Sequence, residues 1–212
     1  MNKPLCYLFD PLCGWCYGAV PALSAAEKIP GATIELLPTG LFSGEGARPM
    51  DDDFAAYAWS NDQRIARLTG QSFTERYREQ VLGDRRQFFD SGPATVALTA
   101  VSLTAPAREL EALEAIQRAR FVDGKNITDL KLLAALLASL RLDESAAMLE
   151  RPDTKLLEAN RARIHRAGAL MWELGARGVP VFVAGTGKER RVLHTSAIYS
   201  NPQALIDQLK AA

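Results

Sequence analysis

Residues 10–18 read DPLCGWCYG, and two of the three cysteines in this 212-residue chain fall within it, Cys13 and Cys16. The stretch follows a continuous apolar run, Leu5-Cys6-Tyr7-Leu8-Phe9, of the kind a strand shows when both of its faces are covered. From Cys13 to about Lys28 the sequence reads as a helix, with Ala19, Leu23 and Ala26 on one side and Pro21 as an internal kink. Pro30-Gly31 ends it, and residues 32–37 (ATIELL) read as a second strand. The chain therefore opens β-α-β, with both thiols at the first strand-to-helix junction.

Two cysteines at this spacing can form a redox disulfide, supply half of a metal site, or be unrelated core residues. Residues three apart on a helix have Cβ atoms roughly 5–6 Å apart, and a disulfide needs about 3.5–4.5 Å, so a small adjustment of the first turn closes the bond. Cys13 falls at the helix N-terminus, where unpaired N–H groups and the helix dipole favour a thiolate. Cys16 lies one turn further in and is expected to be the less exposed. Gly14 lets a partner backbone approach, and Trp15 offers an apolar platform beside the sulfur. A zinc site takes about four ligands, and no second CxxC exists; Cys6, His165 and His194 are scattered. A CxxC beside a β-α-β pattern favours redox chemistry, and no metal is expected. Cys6, inside the apolar run, reads as a core residue.

The middle of the chain is different in character. Residues 40–50 (GLFSGEGARPM) form a glycine-rich loop. Helical patterns then run through 54–68, 74–82, 92 onward, 108–121 and 128–140, followed by a long helix capped by Asp153 and ending near Leu174. Gly178 restores strand chemistry: residues 179–183 and 191–194 read as a hairpin around GTGKE (185–189), and Asn201-Pro202 opens a last helix. Arg161, Arg163 and Arg166 read as a solvated face of the long helix. Trp59, Phe42 and Met50 read as core, with a substrate groove as the alternative.

Composition narrows the function classes. Basic and acidic residues number 25 each, so no net charge points to nucleic acid or an anionic membrane. Hydrophobic residues at 48% and charged residues at 24% suit a chain with a core of its own. The N-terminal apolar run is broken by Asp10 and Pro11, too soon for a signal segment, and no stretch has the roughly 18 apolar residues of a membrane span. A cytoplasmic location is expected.

The combination resembles the thioredoxin superfamily and, within it, the DsbA-like group. Three features carry this: the Cys13-Gly14-Trp15-Cys16 motif opening a helix after the first strand, Pro21 five residues after the second cysteine, and Gly178-Val179-Pro180-Val181-Phe182, which looks like the family's cis-proline loop. The resemblance implies an α/β, thioredoxin-like fold with a large all-helical insertion: residues 1–40 and 165–212 as the thioredoxin-like domain, 41–164 as the insertion. It implies a cis Val179–Pro180 bond facing the cysteines, with the Val179 backbone free to pair with a bound peptide. It implies thiol-disulfide exchange on protein disulfides, with Cys13 attacking and Cys16 resolving. No tightly bound cofactor is expected, and glutathione or a thioredoxin system would recycle the dithiol. Glutathione is preferred, because the related kappa-class glutathione transferases hold its γ-glutamyl end at the start of the last helix, a place similar to Ser200-Asn201 here; simple capping by Asn201 stands beside this reading. Two alternatives remain: a kappa-class-like transferase or isomerase acting on a small molecule, and a peptide-binding chaperone module.

Overall fold

The computed structural model describes residues 3–211. Strand β1 (Lys3–Phe9) lies at the centre of the fold because it is apolar on both sides. It pairs in parallel with β2 (Ala32–Pro38) and antiparallel with β5 (Val181–Ala184), which in turn pairs with β6 (Arg191–Val192), giving the order β2-β1-β5-β6. Leu5, Tyr7 and Phe9 face one layer, which holds helix α1 (Gly14–Glu27) and α9 (Gln203–Lys210). Leu8, with Leu37, Val181 and Val183, faces the other, where α8 (Thr154–Glu173) contributes Ala167 and Leu170. Cys6, expected in the core, is only half-buried beside this second cluster. Burial and the nearby Glu35 push its thiol up to about 12.

Between β2 and β5 the chain builds helices α2 (Asp52–Thr69), α4 (Gly92–Thr104), α5 (Glu109–Phe121), α6 (Leu130–Ser139) and α7 (Asp143–Glu150). A short helix α3 (Glu75–Tyr77) continues as a π-helical turn, Arg78–Leu82, where the sequence reads as one helix. Two features were not legible in the pattern: α7, and a two-residue ribbon of β3 (Arg48–Pro49) with β4 (Phe88–Phe89). The caps follow side-chain chemistry. Asp51, Asp129 and Asp153 each accept a backbone N–H from the first turn of the helix they precede. Gly70 ends α2 at φ 74°, a left-handed value that glycine adopts without a Cβ penalty.

The sheet and the helices between β2 and β5 share one buried core. Tyr7, Phe9, Leu23, Phe73, Leu98, Ile116, Phe121 and Leu137 belong to a single cluster. Helix α8 runs across residue 164, where the sequence suggests a boundary. Its first half touches α4 through Asn160 and Thr99 (2.9 Å), and its second half covers the sheet. Arg163 is not on a solvated face. Its side chain is 16% exposed, donates to Thr99 Oγ1 at 3.1 Å and to the Leu36 carbonyl at 2.7 Å, and pairs with Glu109. The helix turns this arginine inward because β2 is an edge strand whose Leu36 carbonyl needs a donor. Arg161 and Arg166 are exposed, as read, and pair with Glu158 and Glu35.

Candidate active site

The site begins at the end of β1. Asp10 is fully buried and accepts three hydrogen bonds: from Leu12 N (2.9 Å), Phe42 N (3.1 Å) and Ser91 Oγ (2.7 Å). One carboxyl group thus fixes the turn before the cysteines and ties it to the glycine-rich loop and to the start of α4. Burial raises its pKa and these donors oppose the rise. The Cys13 N–H donates to the Asp10 carbonyl at 3.1 Å, which sets Cys13 as the N-cap of α1 in extended backbone (φ −77°, ψ 118°). No side chain caps this end by a hydrogen bond.

Cys13 is 8% exposed and Cys16 fully buried. Burial pushes the Cys16 thiol far up, and its hydrogen bond with Cys13 and the Cys13 charge push it further. The Cys16 carbonyl accepts from the buried Tyr7 hydroxyl at 3.1 Å. Across the cleft, the Val179–Pro180 peptide bond is cis, and Cys13 Sγ lies 3.8 Å from the Val179 carbonyl. Residues separated by 166 positions therefore face each other as the resemblance implies. Pro180 stands just outside β5, so the strand read over 179–183 starts two residues later.

Trp15 has two ring contacts. Tyr199 packs edge-on at 4.9 Å between ring centroids, and the Arg64 guanidinium lies 5.7 Å from the ring. Ser200 and Asn201 follow Tyr199 in the chain. Both are exposed. Asn201 Oδ1 accepts the Gln203 N–H at 3.1 Å, so the asparagine caps the last helix, while Ser200 Oγ reaches the Ala197 carbonyl at 3.5 Å.

Beside Cys13 opens a groove of about 230 Å³, walled by Leu12, Trp15, Phe42, Phe54, Tyr57 and Phe89. Phe42 belongs to this wall as well as to the core, Met50 is core, and Trp59 lines a different surface pocket. One carboxylate interrupts the apolar wall. Asp62 on α2 is 5% exposed, accepts from Tyr77 Oη at 2.9 Å, and is pushed up to about 7 by burial against the effects of Tyr77 and Arg120. Gly14 has its own reason to be glycine: a Cβ there would collide with Asp62 Oδ1 and lie 3.1 Å from Ile65 Cδ1. Behind the groove Arg120 is 2% exposed, stacked over the rings of Tyr77 (5.4 Å) and Phe89 (5.2 Å), with Nε and Nη2 reaching no acceptor among the described residues. Asp10, Asp62 and Tyr199 were missed in the sequence. Asp62 alone carries a visible signal: a charged residue three positions before Ile65 on the inward face of an amphipathic helix.

A buried thiol behind a less buried one, at a helix N-terminus and opposite a cis-proline loop, defines a thiol-disulfide oxidoreductase of thioredoxin-like fold. Comparison with solved structures gives the lineage. The cytosolic disulfide reductase DsbM from Pseudomonas aeruginosa is 34% identical, with a TM-score of 0.88 over 99% of this chain and 100% of that one. A second structure of DsbM, with GSH, is 33% identical at a TM-score of 0.83 over 98% of each chain. A candidate protein disulfide isomerase from Nitrosomonas europaea shares the fold at 23% identity and a TM-score of 0.82, over 100% of this chain and 98% of that one. The chain belongs to the DsbA-like disulfide oxidoreductases of the thioredoxin superfamily. No protein-family model matches it, and a search of curated proteins gives no match. Among the described residues, no helix is long and apolar enough to cross a membrane.

Proposed function

We propose that the chain is a cytoplasmic disulfide reductase or isomerase of protein substrates, recycled by glutathione. Cys13 as thiolate attacks one sulfur of a substrate disulfide; the Cys13–substrate bond forms, and the other substrate sulfur leaves as a thiolate that takes up a proton. Cys16 then gives up its proton and attacks Cys13 Sγ. The Cys13–Cys16 disulfide forms, and the second substrate sulfur is released reduced. Two glutathione thiols return the two electrons and leave as glutathione disulfide.

The observation that carries this reading is full-length likeness, at 34% identity, to a protein described as a cytosolic disulfide reductase, which also has a structure with GSH. Val179 offers its backbone to a bound peptide as an added strand would. Trp15 packs on the substrate, Gly14 admits its backbone, and Pro180 holds the loop in place. The glutathione γ-glutamyl carboxylate meets the N–H groups near Ser200 and Asn201. Since Asn201 already satisfies the Gln203 N–H, this contact is weak until the mixed disulfide forms. Cysteine at both motif positions favours exchange over the transferase alternative.

The test is turnover of a disulfide substrate with glutathione as sole reductant, alongside Cys16→Ser protein exposed to lysate and analysed by mass spectrometry. Glutathione-supported turnover and protein adducts on Cys13 are expected. Turnover only with a thioredoxin system would remove glutathione from the reading while leaving Cys13 in its role.

A further inference from the structure

Helix α8 covers the sheet with one face and turns the other outward. Ala162, His165, Gly168, Ala169 and Trp172 recur at helical spacing along the outer side and are all exposed, while Ala167 and Leu170 face the sheet. Trp172 is 89% exposed, the most exposed large apolar side chain among the described residues. A tryptophan so placed keeps its whole apolar surface in water. One turn before it, Gly168 stands inside the helix, where glycine is less stable than alanine. Apart from its own helix backbone and chain neighbours, no atom lies within 4 Å of where its Cβ would stand, so no packing inside the chain calls for glycine there. The outer face therefore carries a projecting indole beside a notch.

The charges along this face fix what fits it. In chain order they are Glu158, Arg161, Glu173 and, just past the helix end, Arg177, all exposed. Inside the chain they are loosely held: Arg161 is 4.0 Å from Glu158, Glu173 is 3.4 Å from Arg190, and Arg177 has no ion pair among the described residues. The order minus, plus, minus, plus becomes its own complement when reversed. A second copy laid antiparallel, crossing between His165 and Ala169, sets Glu158 against Arg177 and Arg161 against Glu173, each twice. Copies laid parallel in register set like charges together. In the antiparallel register Trp172 falls over Ala162 and beside Arg161 of the other copy, and His165 falls at the other copy's Gly168 notch.

We propose that the outer face of α8 is a homodimer interface, in which two copies pack antiparallel about a two-fold axis. Such an interface uses one patch twice, and this patch is complementary to itself in shape and charge. The sheet separates it from the cysteines. Helix α8 packs on Leu8, Val181 and Val183, whereas α1 lies on the side of Leu5 and Tyr7. Both Cys13 clefts stay open in the dimer, so the inference stands apart from what the thiols reduce and what recycles them.

The experiment is sedimentation equilibrium of the full chain with excess reductant, which excludes intermolecular disulfides. A single helix face is at the small end of specific interfaces, below roughly 1,200 Å², so the range runs from about 5 to 500 μM. Wild type should pass from monomer towards dimer across it. Trp172→Ala should weaken the dimer at least about tenfold, as loss of a central aromatic anchor does. Arg161→Glu should weaken it about three- to tenfold, and Arg161→Glu/Glu173→Arg should recover most of that loss. The substituted side chains are exposed, so far-UV circular dichroism and melting should match wild type in each variant. A wild type that stays monomeric throughout would overturn the proposal. So would a dimer that neither single variant weakens, or a double variant weaker than Arg161→Glu. A monomer whose tryptophan emission shifts on phosphatidylcholine–phosphatidylglycerol vesicles would overturn it in favour of a membrane surface.

Discussion

Replacing Arg163 with methionine tests the tie between the sheet and the helices. Arg163 is 16% exposed and Glu109, its partner, 9% by side chain. The substitution keeps the apolar stem and removes three interactions: with Glu109, with Thr99 Oγ1, and with the Leu36 carbonyl of the edge strand. Breaking a buried pair by deleting one partner costs about 3–5 kcal/mol, because the other charge is left uncompensated. The two remaining hydrogen bonds account for about 2 kcal/mol of this at any pH. The rest depends on the charge of Glu109. Burial pushes this carboxyl up to about 7, with Arg163 opposing and Glu35 adding to the rise. A carboxyl whose folded pKa is raised adds stability on the acid side and loses it as pH rises through the folded value. Without Arg163 the rise is larger. The loss in Arg163→Met should therefore be about 4 kcal/mol at pH 8.5 and about 2 kcal/mol at pH 5. Urea unfolding of wild type, Arg163→Met and Arg163→Met/Glu109→Gln at both values measures this. The double variant should recover most of the extra alkaline loss. An equal loss at both pH values, or a double variant no better than the single at pH 8.5, would refute the argument.

Gly14→Ala should destabilise the protein by about 1–3 kcal/mol in thermal or urea unfolding, since the added methyl meets Asp62 and Ile65. An unchanged midpoint would mean that α2 yields without cost. Tyr7→Phe removes a buried hydrogen bond to the Cys16 carbonyl and should cost about 0.5–1.5 kcal/mol; a neutral or stabilising effect would show the bond adds nothing. Ile65→Ala, at a 1% exposed position packed on Gly14, should cost about 2–5 kcal/mol, and a loss below 1 kcal/mol would argue against tight packing of α1 on α2.

What the sequence made legible was local. Leu5 to Phe9 and ATIELL read as strands because they are apolar and bounded by turn residues, and both lie within the observed β1 and β2. The CxxC announced its chemistry because two thiols one helical turn apart have few other uses. Asp153 announced a helix start, and it accepts the Leu156 N–H at 2.8 Å. The rest depends on what packs against what. Arg163 looked like its neighbours Arg161 and Arg166 until α4 and β2 enclosed it. Asp10 read only as a break in the apolar run, and two of its three donors come from Phe42 and Ser91, far along the chain. Helix α7 (DESAAMLE) is short and has no side-chain cap, so neither period nor cap marks it.

The contact between Cys13 and Val179 has a consequence for how the protein is made. Val179 leaves the ribosome 166 residues after Cys13, and β1 has to wait for β5 to pair on that side. At roughly 5–20 residues per second, about 8–33 seconds of synthesis separate the two. Through that interval the motif is present without the proline loop opposite it, and without Tyr199 beside Trp15. A nascent chain thus carries its thiols well before it carries the assembled cleft, and exchange through that cleft begins only after Val179 and β5 have been made.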